Sequence, residues 1–164
     1  MMDINDVLKI VSSHQNCSIL AQSGFPKLSN HKLPLDLKNF YALCGGMLLF
    51  EDEPCSWEVL APDNFTLANP IIVGKLCEYD ISSEWYTICR DNNGNYITID
   101  LNPERLGRCY DSFLEVHGLV GDCAVVANSF TELLSQLIKS KGKNLYWLES
   151  DFKRLGDAYD NIDI

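Results

Sequence analysis

The chain has 164 residues, 46% hydrophobic residues and a formal net charge of −10. Its length and composition predict a single domain with its own core. No run approaches the roughly 20 apolar residues of a membrane helix, and the acidic N-terminus is unlike a signal peptide. The acidity disfavours nucleic acid as a ligand. It fits two interpretations, plain solubility and a face for a basic protein partner.

The cysteine pattern indicates a reducing compartment. There are seven cysteines and no C-x-x-C pair, so a complete disulfide framework is not expected. Free thiols are typical of cytosolic proteins. We therefore expect a cytoplasmic protein.

Two helices are predicted in the first 46 residues. The first follows a cap at Asp3, and the second opens at Leu33-Pro34. Between them, residues 12–32 predict an irregular connection. Gly45 and Gly46 predict a left-handed cap that ends the second helix. The apolar stripes of the two helices are Ile4, Val7, Leu8 and Val11, and Leu37, Phe40, Tyr41 and Cys44.

Short apolar runs predict a mostly antiparallel sheet of about five to six strands, packed against N-terminal and C-terminal helices in an α+β fold. A meander is the simplest order. The predicted strands lie near residues 47–50, 57–60, 71–73, 85–90, 96–101 and 108–111, and a short apolar run follows at 123–126.

The clearest of these elements is a hairpin from Trp85 to Asp100. Its turn is rich in Asp, Asn and Gly, which tolerate positive φ. The turn has a superficial likeness to a calcium loop, but it lacks the terminal glutamate of an EF-hand. Alternation places Ile97 and Ile99 on the core side, and leaves Tyr96 and Thr98 as a candidate outer surface.

A capped helix closes the predicted fold. Ser129 and Glu132 form a capping-box pattern ahead of a long apolar stripe. From about residue 141 an extra segment follows, in which the apolar pattern from Leu145 to Leu155 predicts a further helix, and an acidic end is expected to fray. We interpret residues 1–164 as one domain.

Catalytic and metal-binding patterns are sparse. We predict no metal site and no cofactor, because close-spaced Cys or His pairs and phosphate-binding glycine motifs do not occur in the sequence. Cys109 and His117 are near each other in sequence and could meet as a dyad in a small cysteine-dependent hydrolase. A buried thiol beside a surface imidazole is the alternative.

Partner binding has better candidates. Glu51, Asp52 and Glu53 form the tightest acidic cluster, which would attract a basic partner or simply be a solvated loop. Tryptophan anchors either cores or interfaces, and Trp85 is the best interface candidate because polar residues precede it. The predicted partner-binding residues are Glu51, Asp52, Glu53, Trp57, Glu84, Trp85 and Tyr96.

Four segments together resemble the SUKH superfamily, which contains bacterial toxin-immunity proteins and yeast cell-wall-synthesis regulators. They are LPLDLKNFYALCGG from Leu33, IIVG from Ile71, YITID from Tyr96 and VANSFTELL from Val126. In place of the family's frequent Asn-Gly pair, this chain has Cys44-Gly45-Gly46, and it lacks a Trp near the first helix. The resemblance covers roughly residues 1–140.

The resemblance implies an α+β domain that binds and does not catalyse. It implies an immunity protein that neutralises a polymorphic toxin, such as a nuclease, by direct contact. The toxin domain would be basic, and the net negative charge of this chain would attract it. A regulatory or scaffold protein of the same fold is the alternative, and the hydrolase ranks below both.

Overall fold

The computed structural model describes residues 2–162 and has an α+β fold, as predicted. The helices are α1 (Ile4–Ser12), α2 (Leu35–Leu43), α3 (Ala68–Ile72) and α4 (Phe130–Ser140). The strands are β1 (Ser18–Ile19), β2 (Met47–Leu49), β3 (Trp57–Val59), β4 (Trp85–Arg90), β5 (Tyr96–Asp100), β6 (Cys109–Ser112) and β7 (Val125–Ala127).

The sheet is a meander in which all neighbouring strands are antiparallel. Its order, β1 to β7, follows the sequence. It has seven strands where five to six were predicted, because residues 12–32 contain β1 and the short apolar run at 123–126 leads into β7. The predicted hairpin is confirmed as β4 and β5. In its turn, the Asp91 carboxylate accepts hydrogen bonds from the backbone N–H groups of Asn93 and Asn95, at 2.9 and 2.8 Å. This carboxylate therefore stabilises the turn.

The apolar stripes of the predicted helices face the core. Asp3 and Asp6 cap α1 reciprocally. Ser129 accepts a hydrogen bond from the Glu132 N–H at 3.1 Å, while the Glu132 carboxylate accepts from Asn128 instead of Ser129. The second half of this capping box is thus displaced by one residue. The buried residues of α1, α2 and α4 are Ile4, Val7, Val11, Leu37, Phe40, Tyr41, Phe130, Leu133, Leu134, Leu137 and Ile138.

The glycine pair after α2 has a different role from the predicted helix cap. The helix ends at Cys44 in an extended conformation, and only Gly46 has positive φ. A Cβ on Gly45 would lie 2.2 Å from the carbonyl oxygen of Ala21, and one on Gly46 would lie 2.6 Å from that of Val59. Glycine is required because neighbouring backbone segments approach closely.

The strand predicted at Ile71–Val73 was wrong. Ile71 and Ile72 are instead the last two residues of the short helix α3. Pro70 lies within the first turn of this helix, where proline is tolerated. Asn69 is buried and donates hydrogen bonds from its amide to the Leu76 carbonyl and the Ser82 hydroxyl. These tertiary contacts hold a helical turn that the apolar run alone did not indicate.

The C-terminal segment also differs from its prediction. In place of an α-helix, residues 146–148 form one 3-10 turn. Tyr146 donates its hydroxyl to the Val126 carbonyl at 2.6 Å, and Trp147 packs near Trp57. The acidic end packs against the sheet, because Ala158 is buried and donates its backbone N–H to the Cys123 carbonyl at 2.8 Å. Residues 163 and 164, where fraying was also predicted, lie outside the described residues.

Side chains cover the sheet unequally on its two faces. One face packs against α1, α2, α4 and Trp147 and holds the main core. The opposite face carries a smaller cluster around Trp85, Tyr110 and Ala158. That cluster occupies only the end of the sheet where β4 begins, so the other end of this face is left for a site.

Candidate protein-binding face

Strand register builds a row of side chains across the uncovered end of the sheet. Leu48 pairs with Glu58, Glu58 with Arg90, and Arg90 with Tyr96. Directly paired residues of antiparallel strands point to the same face. Each of these four side chains is half-buried, and their neighbours Leu49, Val59 and Ile97 face the main core. We call Leu48, Glu58, Arg90 and Tyr96 the open face.

An ion pair lies at the centre of the open face. Arg90 donates to the Glu58 carboxylate at 2.9 Å, and this hydrogen bond raises the pKa of the guanidinium further. Both side chains are about one-third exposed, at 37% and 28%. Exposed ion pairs contribute little to stability. The pair therefore presents fixed charges to solvent without being needed to hold the sheet together.

Two recesses flank this ion pair. One has a volume of about 160 Å³ and lies among Glu51, Glu58 and Asp91. The other has a volume of about 270 Å³, and Asp63, Ile71 and Tyr96 are among its lining residues. Three carboxylates thus line the first recess and one lines the second, and Arg90 lines both.

The predicted acidic cluster lies beside the open face and is tied to it. Asp52 accepts a hydrogen bond from Asn16 at 2.6 Å, and Glu53 pairs with Lys143 at 2.7 Å. Glu51 lies 3.4 Å from the Ser18 hydroxyl, and Ser18 pairs with Leu48 in the sheet. Glu51 and Asp52 remain exposed. The cluster is a positioned acidic rim, since three of its neighbours fix its carboxylates.

Three other predicted binding residues are placed elsewhere. Trp85 is fully buried and Trp57 is 4% exposed, so both belong to the interior, and Trp85 is wrong as an exposed contact residue. Glu84 accepts from His31 and Asn102, at 3.2 and 2.8 Å, at the opposite end of β4 from Tyr96. It joins segments of this chain to each other. Of the predicted residues, Tyr96 belongs to the open face and Glu51 lines one of its recesses, while Asp52 and Glu53 follow Glu51 in the chain.

The sequence prediction missed Glu58 and Arg90. Glu58 alternates with buried residues in β3, which is the available signal for a sheet face, whereas Arg90 follows five buried residues at the end of β4 and no alternation marks it. That they stand side by side depends on the pairing of β3 with β4, across 25 intervening residues of irregular structure and α3. A single sequence does not specify this register.

The other end of the same face is closed by a buried polar chain. Asn69 uses its N–H groups elsewhere, so its Oδ1 accepts from His117 Nε2 at 2.6 Å. His117 Nδ1 then accepts the Ser112 proton at 2.9 Å, and the Ser112 oxygen accepts from Thr98 at 2.7 Å. Burial lowers the pKa of His117 to about 4, which keeps the ring neutral. Thr98, predicted as outer surface, is part of this interior chain.

Cys109 and His117 do not form a dyad. Cys109 belongs to the main core under the helices, and donates its thiol to the Gly107 carbonyl. His117 packs edge-on against Trp85, in the cluster on the opposite face. The sheet separates the two side chains, and burial raises the pKa of the Cys109 thiol well above its usual value. The geometry does not support thiolate chemistry at this pair.

Residues 2–162 contain neither a metal-binding cluster nor a membrane-spanning helix. Among them, no three His, Cys, Asp or Glu side chains are grouped so that they could hold a metal ion. No helix in that range combines the length and apolar character needed to cross a membrane. The seven cysteines, all in the same range, are free.

Most of the amino-acid sequence matches a known protein family. Residues 24–136 match the family described as SMI1 / KNR4 family (SUKH-1). The chain belongs to this family. The resemblance noted from the sequence motifs is therefore confirmed.

One relative in this family matches over nearly its full length. The chain is 49% identical to the immunity protein YokJ of Bacillus subtilis (strain 168) over 164 residues, which cover 99% of each protein. The similarity includes the C-terminal segment beyond residue 136. No solved structure gives a significant match.

Proposed function

We propose that this protein is a cytoplasmic immunity protein that inactivates a cognate toxin by binding it through the open face, without chemistry. The full-length similarity to a protein named as an immunity protein carries the proposal. The open face adds a surface suited to the task, because it is polar, half-buried and not covered by the chain's own elements.

The charges around the open face favour a basic partner. Four carboxylates line its recesses and two more follow Glu51 in the chain, against the cations Arg90 and Lys143, which are both engaged in ion pairs. Such a field accelerates association with a positively charged protein. A nuclease domain, whose surface is built for phosphate, is the kind of toxin we propose. The six carboxylates belong to Glu51, Asp52, Glu53, Glu58, Asp63 and Asp91.

The test asks whether the gene next to this one encodes a toxic C-terminal domain and whether this protein binds that domain. In the double variant Glu51→Lys and Asp52→Lys, we expect the association rate to fall about tenfold or more at low salt. The double variant Glu149→Lys and Asp151→Lys is the matched control. It changes the net charge by the same amount, at exposed residues that lie near α4 and away from the open face. This control should keep most of the rate.

Two outcomes would count against the proposal. An adjacent gene without a toxic domain, or a domain that the wild-type protein neither binds nor neutralises in co-expressing cells, contradicts the immunity function. Equal loss of association rate in both double variants contradicts the open face, because it would show that net charge acts without regard to position.

A further inference from the structure

Six exposed apolar side chains lie on the end of α3, on the loop that follows it and on the loop around Gly118. They are Ile71, Val73, Leu76, Tyr79, Leu119 and Val120, and we call them the apolar crest. Tyr79 is 101% exposed, so its ring makes no protective contact with its own chain. Contiguous apolar surface of this kind marks interaction sites in proteins.

The two loops of the crest are held together by buried contacts. The Tyr159 hydroxyl lies 2.6 Å from Asp80 Oδ1 and 2.8 Å from the Gly118 carbonyl. Tyr79 and Leu119 are the chain neighbours of these two bridged groups. The bond from His117 to Asn69 joins the same loops a second time. The crest is therefore one assembled surface on a fixed base.

The crest is continuous with the open face. Ile71 lines the same recess as Arg90 and Tyr96. From this residue the chain carries Val73, Leu76 and Tyr79 away from the recess toward the Gly118 loop. A partner seated on the open face would reach the crest without leaving the surface.

The charges among the crest residues have the same sign as those of the open face. Glu78, Glu115 and Asp122 are exposed on the two loops, and Lys75 is the exposed cation among them. An apolar centre within an acidic surround complements an apolar or aromatic side chain surrounded by basic residues. This is the chemistry already argued for the partner of the open face.

We propose that the apolar crest is the high-affinity half of the toxin-binding surface and receives an apolar or aromatic anchor of the basic toxin domain. This inference rests on the proposed immunity function. The open face and its acidic rim guide the toxin during encounter, and the crest slows its release. Tyr79 is the central contact, because tyrosine is enriched among residues that dominate binding energy.

The experiment measures association and dissociation rates with the toxic domain of the neighbouring gene. For Tyr79→Ser, and separately for Leu119→Ser, we expect dissociation to accelerate about thirtyfold, with nearly unchanged association and salt dependence. Leu35→Ser and Leu148→Ser are matched controls, since both replace exposed leucines outside the crest. They should bind as the wild type does. Thermal unfolding checks that each variant is folded.

The possible results separate this inference from the immunity function. If folded Tyr79→Ser and Leu119→Ser variants dissociate from the toxin at the wild-type rate, the proposed role of the crest is wrong. Neutralisation of the toxin by the wild-type protein would still support the immunity function. A crest variant that converts a dimer of this chain to monomer with unchanged toxin affinity also overturns it, since the crest would then join two copies. A wild-type protein that binds no toxin contradicts both.

Discussion

The buried histidine at the closed end of the sheet predicts a specific acid sensitivity. His117 is 8% exposed and its pKa is lowered to about 4, chiefly by burial, while nearby Asp80 acts weakly in the opposite direction. In the unfolded chain its pKa is about 6.5. Between these values the unfolded state binds more protons, so this contribution to stability is present above about pH 6.5 and is lost as pH falls toward 4.

The size of this effect follows from the two pKa values. Linkage gives a loss of about 2 kcal/mol between pH 7 and pH 5, and a limit of about 3 kcal/mol near pH 4. Protonation would also place a second N–H against the Ser112 hydroxyl, which would have to turn its own proton away from the ring. The hydrogen bonds that run from Thr98 through Ser112 and His117 to Asn69 would then no longer all donate in the same direction.

The assay is urea unfolding from pH 7 to pH 4.5 for the wild type and His117→Gln. Glutamine does not titrate, so the wild type should show the extra loss of unfolding free energy, while the carboxylates contribute alike to both proteins. His14→Gln, at the end of α1, is the control and should follow the wild type. Identical pH profiles for wild type and His117→Gln, or a folded-state His117 titration by NMR near pH 6.5, would refute the reasoning.

Three further outcomes are expected. Gly45→Ala should lower the unfolding free energy by more than about 2 kcal/mol in urea titrations, because the new Cβ meets the Ala21 carbonyl at 2.2 Å. Gly94→Ala, which has open space but positive φ, should lose only about 1 kcal/mol; equal losses would contradict the contact argument. Cys109→Ser should lose about 1–3 kcal/mol but bind toxin normally once folded, whereas loss of neutralisation by folded protein would favour catalysis. A chain ending at Lys141 should show no cooperative thermal unfolding, since two core aromatic residues are removed, and a normal transition would make the C-terminal segment dispensable.

Helices α1, α2 and α4 and the hairpin were predictable because their signals are local. Asp3 and Ser129 cap helices through residues three positions away, and the Asp91 turn is bonded within itself. The strand predicted at Ile71–Val73 was wrong because a short apolar run fits a strand as well as a buried helical turn. The tie that decides it, from Asn69 to Ser82, is tertiary.

The candidate site was predictable only in part, for a similar reason. The acidic rim is visible as consecutive carboxylates, and Tyr96 as an outward position in a hairpin. The pairing that sets Glu58 beside Arg90 joins strands far apart in sequence. The apolar crest requires two loops to meet through Tyr159, near the other end of the chain. No local pattern encodes either arrangement.

Alternation along β3 to β5 separates recognition from folding. Glu58, Arg90 and Tyr96 point outward, while Val59, Cys89 and Ile97 fill the core and the backbone carries the ladder. Ladder hydrogen bonds do not depend on which side chains the strands bear. Outward positions can therefore change in size and charge while the inward residues keep the same scaffold. A change in the surface of a binding partner can be matched on one side of these strands without disturbing the packing on the other.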